Sequence, residues 1–292
     1  MIIFQLANAH SRHGEDVFDH RVNNFQQATE HLRNNRGIRT PQLEDCTAQI
    51  QGQIATIRTF FGNDPRVERA ISQYNPIGVR MPEADARRML RLEGADQGLH
   101  LYGAALVGRN SVNILVLTDA GVGRPERIAE TSTHELMHGI GEIIRKDQLT
   151  YNVNGRSRTV HTSRSFEEAM TNYVAASTTP NETQRPVTYP FHTATMIMVE
   201  RVVGREAMRE ALLSERGDFT QVQNVLDQRL GSGTFQRMME AFESNDPAGA
   251  FRAVSERVTG TEYMSVYSDP RMIRFVNTLT QLAQRRAQSA QD

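Results

Sequence analysis

The sequence predicts an α+β protein: a small mixed sheet and one central helix, flanked by helical segments at both ends. Three observations carry that prediction. Apolar residues recur at helical spacing across residues 15–76. Strand-like runs with two hairpin signals follow between 77 and 161, and from Ser165 onward the pattern is helical almost throughout. These changes divide the 292 residues into a helical N-terminal segment (1–76), a mixed core (77–179) and a helical C-terminal subdomain (180–292), a length that suits one large domain or two small ones.

In the first segment, Val17, Phe18, Val22, Phe25 and Leu32 mark one amphipathic helix that stops at Gly37. Ile50, Ile54, Ile57 and Phe61 mark a second, ending at Gly62, and Asp64 with Pro65 opens a third that runs to Tyr74. His10, His13 and His20 have no carboxylate at a ligand spacing and read as solvated. Ile77, Val79 and Met81 then alternate as a short strand, and Pro82 starts a helix through about Leu92. Residues 99–107 and 112–118 form two apolar runs, joined by Gly108, Arg109, Asn110 and Ser111 as a hairpin turn. Pro125 sits where a helix starts, with Ile128, Leu136, Ile140 and Ile143 as its apolar side. Asn154 and Gly155 signal a second hairpin between residues 149–153 and 158–161. The later helices are punctuated near 178–190 and at Gly204, Gly217, Gly231, Asp246 with Pro247, and Gly260, before a polar tail from 281.

Composition narrows the function classes. A formal net charge of -1 gives no global attraction to nucleic acid or an anionic surface. No stretch approaches the roughly 18 apolar residues of a membrane span, and the start MIIFQLANA lacks the basic flank and apolar length of a Sec signal, so a soluble chain is expected. The single cysteine, Cys46, excludes a multi-cysteine metal site and reads as a buried free thiol, which leaves His, Asp and Glu as metal ligands. Of the 33 basic residues 32 are Arg, with Lys146 the only lysine. A GC-rich genome would also suppress Asn, yet Asn occurs 16 times. Lysine depletion removes the amines that ubiquitin and acetyl groups modify, which suits survival inside a eukaryotic cell.

On the helix that begins at Pro125 lies His134-Glu135-Leu136-Met137-His138. Histidines at i and i+4 share one helix face and can reach one Zn²⁺, with Glu135 beside them to take a proton from the attacking water. Random placement of 9 His and 21 Glu would give such a motif in roughly 2% of chains, and its mid-helix position beside Gly139 and Gly141 strengthens it. A hydrolytic zinc site uses three protein ligands. A continuation to a third His three residues beyond Gly141 is closed, because Ile144 stands there.

A later helix begins Ser165-Phe-Glu-Glu-Ala-Met-Thr-Asn-Tyr173, and with the HExxH motif it resembles the gluzincin zinc metallopeptidases. The resemblance implies a zincin-like catalytic core over 77–179 and Glu168 as the third ligand, with Glu167 as the neighbouring alternative. It also implies that Asn172, four residues on, orients His134, in a position where Asp is more usual. Ser165 and Glu168 also read as a capping box, a structural role that competes with the ligand one. Gluzincins place a Tyr or His beside the developing oxyanion; Tyr189 is favoured here over His192, with His161 a weaker candidate. In zincins the strand before the motif helix tends to be an edge that pairs with extended peptide, which puts Asn113 and Leu115 at the substrate, although an interior strand explains the same apolar run.

The expected activity is therefore zinc-dependent hydrolysis of peptide bonds in a protein or peptide substrate. The lysine bias and absent signal also make the chain loosely similar to bacterial zinc protease effectors. That likeness implies a dedicated secretion machine or chaperone as partner, and delivery into a host cell in place of the bacterial cytoplasm. The alternatives are a non-catalytic zincin-like partner-binding module and a housekeeping intracellular metallopeptidase.

Overall fold

The structure is a computed structural model that describes residues 24–39, 43–90, 103–107, 113–122, 125–146, 148–179 and 189–289. The N-terminal start, His10, His13, His20, Val17, Phe18, Val22 and the turn at 108–111 lie outside the described residues. The chain divides into two compact units, Met1–Ile143 and Ile144–Asp292.

In the first unit, α1 (Phe25–Arg36) is capped by Asn24, whose side chain accepts from the Gln27 N–H, and ends in left-handed Gly37 as expected. β1 (Glu44–Asp45), α2 (Thr47–Phe60), α3 (Pro65–Tyr74), β2 (Ile77–Met81), α4 (Glu83–Met89), β3 (Gly103–Val107), β4 (Asn113–Thr118) and α5 (Pro125–Arg145) follow. Asp64 accepts from the Arg66 N–H and Pro65 fills the first helical position, so α3 starts where the sequence predicts. The sheet order is β1-β2-β4-β3, with β2 and β4 parallel and the other pairs antiparallel. This is the small mixed sheet of the predicted α+β class.

One side of that sheet is closed by α2. Ile50, Ile54, Ile57 and Phe60 are its buried stripe, and a Cβ on Gly78 would fall 2.8 Å from both the Cys46 backbone and the Ile50 side chain. Gly78 is thus required where helix and strand nearly touch. Cys46 is buried beside it, and burial pushes its thiol up to about 11, so the thiol is unreactive packing at neutral pH.

The second unit opens with a hairpin, β5 (Gln148–Val153) and β6 (Arg156–His161), turned by Asn154 and Gly155, both with positive φ. This is the two-residue turn that Asn-Gly favours. The rest is helical: α6 (Arg164–Thr178), α7 (Pro190–Val203), α8 (Arg205–Leu213), α9 (Thr220–Leu230), α10 (Thr234–Glu243), α11 (Pro247–Ser255), α12 (Gly260–Tyr267) and α13 (Pro270–Ser289). α7 is buried along nearly its whole length and packs against α6, α9, α11 and α13. Phe166, Phe219, Phe235 and Phe242 stack edge to face or tilted at the base of α6, with centroids 5.3–6.3 Å apart.

A buried ionic cluster ties α13 to α7 and α6. Arg271 reaches the Glu200 carboxylate at 2.7 Å and Asp269 at 2.7 Å, and donates to the Ser177 hydroxyl at 2.6 Å. Arg201 completes Asp269 and Arg205 completes Glu200. Nothing in the hydrophobic periodicity pointed to this cluster.

Among the described residues no helix is long and apolar enough to cross a membrane.

Candidate metal centre

α5 is a 21-residue helix whose middle stretch, residues 132–141, is buried on every side. Leu136 and Ile140 are fully buried, and the Thr133 hydroxyl lies 3.3 Å from the Gln53 amide oxygen on α2. Gly103 of β3 comes so close to α5 that a Cβ would fall 2.8 Å from the Thr131 methyl. Gly139 is more constrained still, because a Cβ there would overlap the phenol carbons of Tyr74. Gly139 is thus the point at which the Tyr74 ring of α3 approaches α5.

His134 and His138 follow from the i, i+4 spacing. Their rings meet edge to face, with centroids 4.7 Å apart and the two Nε2 atoms 3.0 Å apart. Glu135 is buried next to them, one carboxylate oxygen 4.0 Å from His134 Nε2. Glu168 sits on α6, buried, while Glu167 is half-buried. His134, His138 and Glu168 each offer one ligand atom, all within 4.8 Å of one another, so this buried group could hold a metal ion.

The donor set fits a divalent ion. Two nitrogens at 2.0–2.1 Å from a tetrahedral zinc stand roughly 3.3 Å apart, close to the separation of the two Nε2 atoms. Two imidazoles and a carboxylate also suit Zn²⁺ better than Mg²⁺ or Ca²⁺, which prefer oxygen ligands.

The helix that carries Glu168 starts differently from the capping-box expectation. Ser163, with extended backbone, is the N-cap and its hydroxyl accepts from the Phe166 N–H at 3.3 Å. Ser165 is already inside the helix, so the Ser165/Glu168 pair is not a capping box and Glu168 has no capping role. Asn172 is buried and its amide nitrogen donates to the Glu168 carbonyl at 2.7 Å.

Tyr189 and His192 come together at the start of α7. Tyr189 is the N-cap, with left-handed backbone (φ 49°, ψ 60°), and its ring meets His192 edge to face at 5.3 Å. His192 is buried and its Nε2 lies 3.0 Å from the Ser165 hydroxyl. Burial depresses the His192 pKa to about 4, so the ring is neutral at pH 7. Because its unfolded pKa is near 6.5, the unfolded chain binds more protons between pH 6.5 and 4. Stability is thus full above pH 6.5 and falls as pH drops toward 4, by about 3 kcal/mol from this group. Urea unfolding of wild type and His192→Gln across that range checks this: the variant is expected to show the flatter pH dependence. His161, on the exposed strand β6, has no such anchoring.

The substrate-edge reading of Asn113 and Leu115 does not hold. β4 has β2 on one side and β3 on the other, so its backbone has no free edge for a peptide. Leu115 is fully buried, and the Asn113 side-chain amide donates to the Tyr74 carbonyl, tying β4 to the end of α3. The unbroken apolar run from Ile114 to Leu117 signals a strand covered on both faces, and does not by itself tell an edge from a centre.

No family model, curated protein or solved structure matches the chain.

Proposed function

We propose that the chain is a zinc-dependent peptidase of zincin type. The observation that carries this reading is the convergence of His134, His138 and Glu168 with a buried carboxylate, Glu135, beside the imidazole pair. A purely structural metal site has no use for that fourth group, and this favours an enzyme over a partner-binding module.

The two imidazoles and Glu168 would hold the ion, which when bound supplies Lewis acidity to a water and to the substrate carbonyl. Glu135 takes the proton as the water attacks and passes it to the leaving amine, so the products are a carboxylate and a free amine. Tyr189 is the assigned donor to the oxyanion. His192 holds its place by ring contact, and has only one ring nitrogen left to offer once Nε2 meets Ser165. Asn172 buttresses the α6 turn that carries Glu168, through the bond its amide nitrogen donates to the Glu168 carbonyl. The near absence of lysine supports action on a host protein after delivery by a secretion machine or chaperone.

The ligand assignment is tested by comparing Glu168→Ala with Glu167→Ala. Zinc content, measured after dialysis, is expected to fall to background in the first and stay at wild-type level in the second; the reverse would move the ligand to Glu167.

A further inference from the structure

The outer edge of β5 is taken up within the second unit. The Thr150 N–H donates to the Gly217 carbonyl at 2.9 Å, and the Thr150 carbonyl accepts from the Phe219 N–H at 2.9 Å. Two residues on, Asn152 exchanges a similar pair of bonds with the Gln223 side chain, at 2.6 and 2.8 Å. A Cβ on Gly217 would overlap the Gln148 carbonyl, so this segment is seated tightly against β5. These bonds fix the phase of the hairpin. In an antiparallel ladder, residues directly opposite each other either exchange both backbone bonds or point both away. Thr150 lies opposite Thr159 and Asn152 opposite Ser157, and both β5 residues point away. Ser157 and Thr159 therefore turn their N–H and C=O groups outward from β6, and by the same alternation so does His161, opposite Gln148. None of these groups has a partner among the described residues, and every β6 position except Val160 is exposed.

A bare strand edge invites another strand, and its side chains decide which one. Arg156 and Arg158 share one face of β6, two residues apart, opposite Val153 and Tyr151. Neither has an acidic partner among the described residues, and Glu243 meets the hydroxyl of Tyr151 instead of the guanidinium opposite it. A second copy of the chain is a poor occupant, because pairing two β6 edges would bring the arginines of both copies onto one face. We propose that β6 is a docking edge for an extended acidic segment of a partner protein, paired through the outward backbone groups of Ser157, Thr159 and His161, with carboxylates at alternate positions facing Arg156 and Arg158. The formal net charge of -1 makes this attraction local to the edge and not a property of the whole chain. The inference goes beyond the peptidase reading and needs neither the metal nor Glu135.

Binding is read by fluorescence anisotropy on the full chain, with a fluorescein-labelled peptide of about eight residues that alternates Glu with Val, and with its counterpart carrying Lys in place of Glu. The Glu peptide is expected to bind saturably and the Lys peptide not to bind. Replacing both Arg156 and Arg158 by Ser should weaken binding about 3- to 30-fold, as for two exposed ion pairs. Arg229→Glu with Arg252→Glu, at exposed sites on α9 and α11, should leave it unchanged. Thr159→Pro removes an outward N–H and breaks no ladder bond of the hairpin, so the thermal midpoint is expected to hold while binding falls by more than about tenfold. Should that variant fail to fold, the arginine pair still decides the question. Absent binding, equal binding of the Glu and Lys peptides, or full binding by the Arg156→Ser/Arg158→Ser chain would overturn the proposal. So would a wild-type dimer in sedimentation that Thr159→Pro dissociates, since a second copy would then occupy the edge. Each titration is repeated in Glu135→Gln, where docking is expected to persist, so that cleavage of the probe bears on the peptidase reading alone.

Discussion

Glu135→Gln is expected to retain its zinc and to lose about 10²–10⁴-fold in peptide hydrolysis, the usual contribution of a positioned general base. The substitution keeps the size and planarity of a side chain that is 5% exposed, so the packing of α5 is undisturbed. What it removes is the proposed base, the buried carboxylate next to the imidazole pair. Mass spectrometry of a peptide mixture, with metal content measured on the same samples, separates this from a failure to bind metal. Wild-type turnover in the Glu135→Gln variant would show that Glu135 is not the base.

Arg271→Ala is expected to destabilise the second unit by about 3–5 kcal/mol, the cost of removing one partner from a buried ion pair. Arg271 is 6% exposed at its side chain and Glu200 4%, and Asp269 is more deeply buried still. Although burial alone would raise it, Asp269 has its carboxyl pKa held below the usual carboxylate range by Arg271 and Arg201. The truncation leaves both carboxylates buried with only Arg201 and Arg205 to face them, and also removes the tie to Ser177 on α6. Urea unfolding followed by circular dichroism measures the loss. A change below about 1 kcal/mol would mean that water solvates the cluster and that it is not a structural tie.

The parts of the fold that were legible are those fixed by local chemistry. Asp64 and Pro65, Gly37, Asn154 with Gly155, and the i, i+4 histidines each act within a turn or two of their own position. What was misread depended on neighbours distant in the sequence. The apolar run of β4 is equally good as an edge or a centre, and only its pairing with β2, some 35 residues earlier, makes it interior. Ser163 and Ser165 are both plausible caps; Ser163 wins because it has the extended backbone, while Ser165 is drawn to His192, 27 residues away. Tyr74 and Arg271 carry no motif at all. Their places are set by a glycine on α5 and a glutamate on α7 that no spacing rule connects to them. His134 and His138 were readable because a helix repeats every 3.6 residues, whereas Glu168 was reached only through the gluzincin resemblance. The approach of the Tyr74 ring to Gly139 was not, because α3 meets α5 only in the folded chain.

The most direct test of the central claim is the zinc content of the purified, dialysed chain, measured beside its His138→Ala variant by elemental analysis. About one zinc per chain in the wild type, lost in the variant, is the predicted result. A wild type without bound zinc, or equal zinc in both proteins, would contradict a metal centre built on His134, His138 and Glu168.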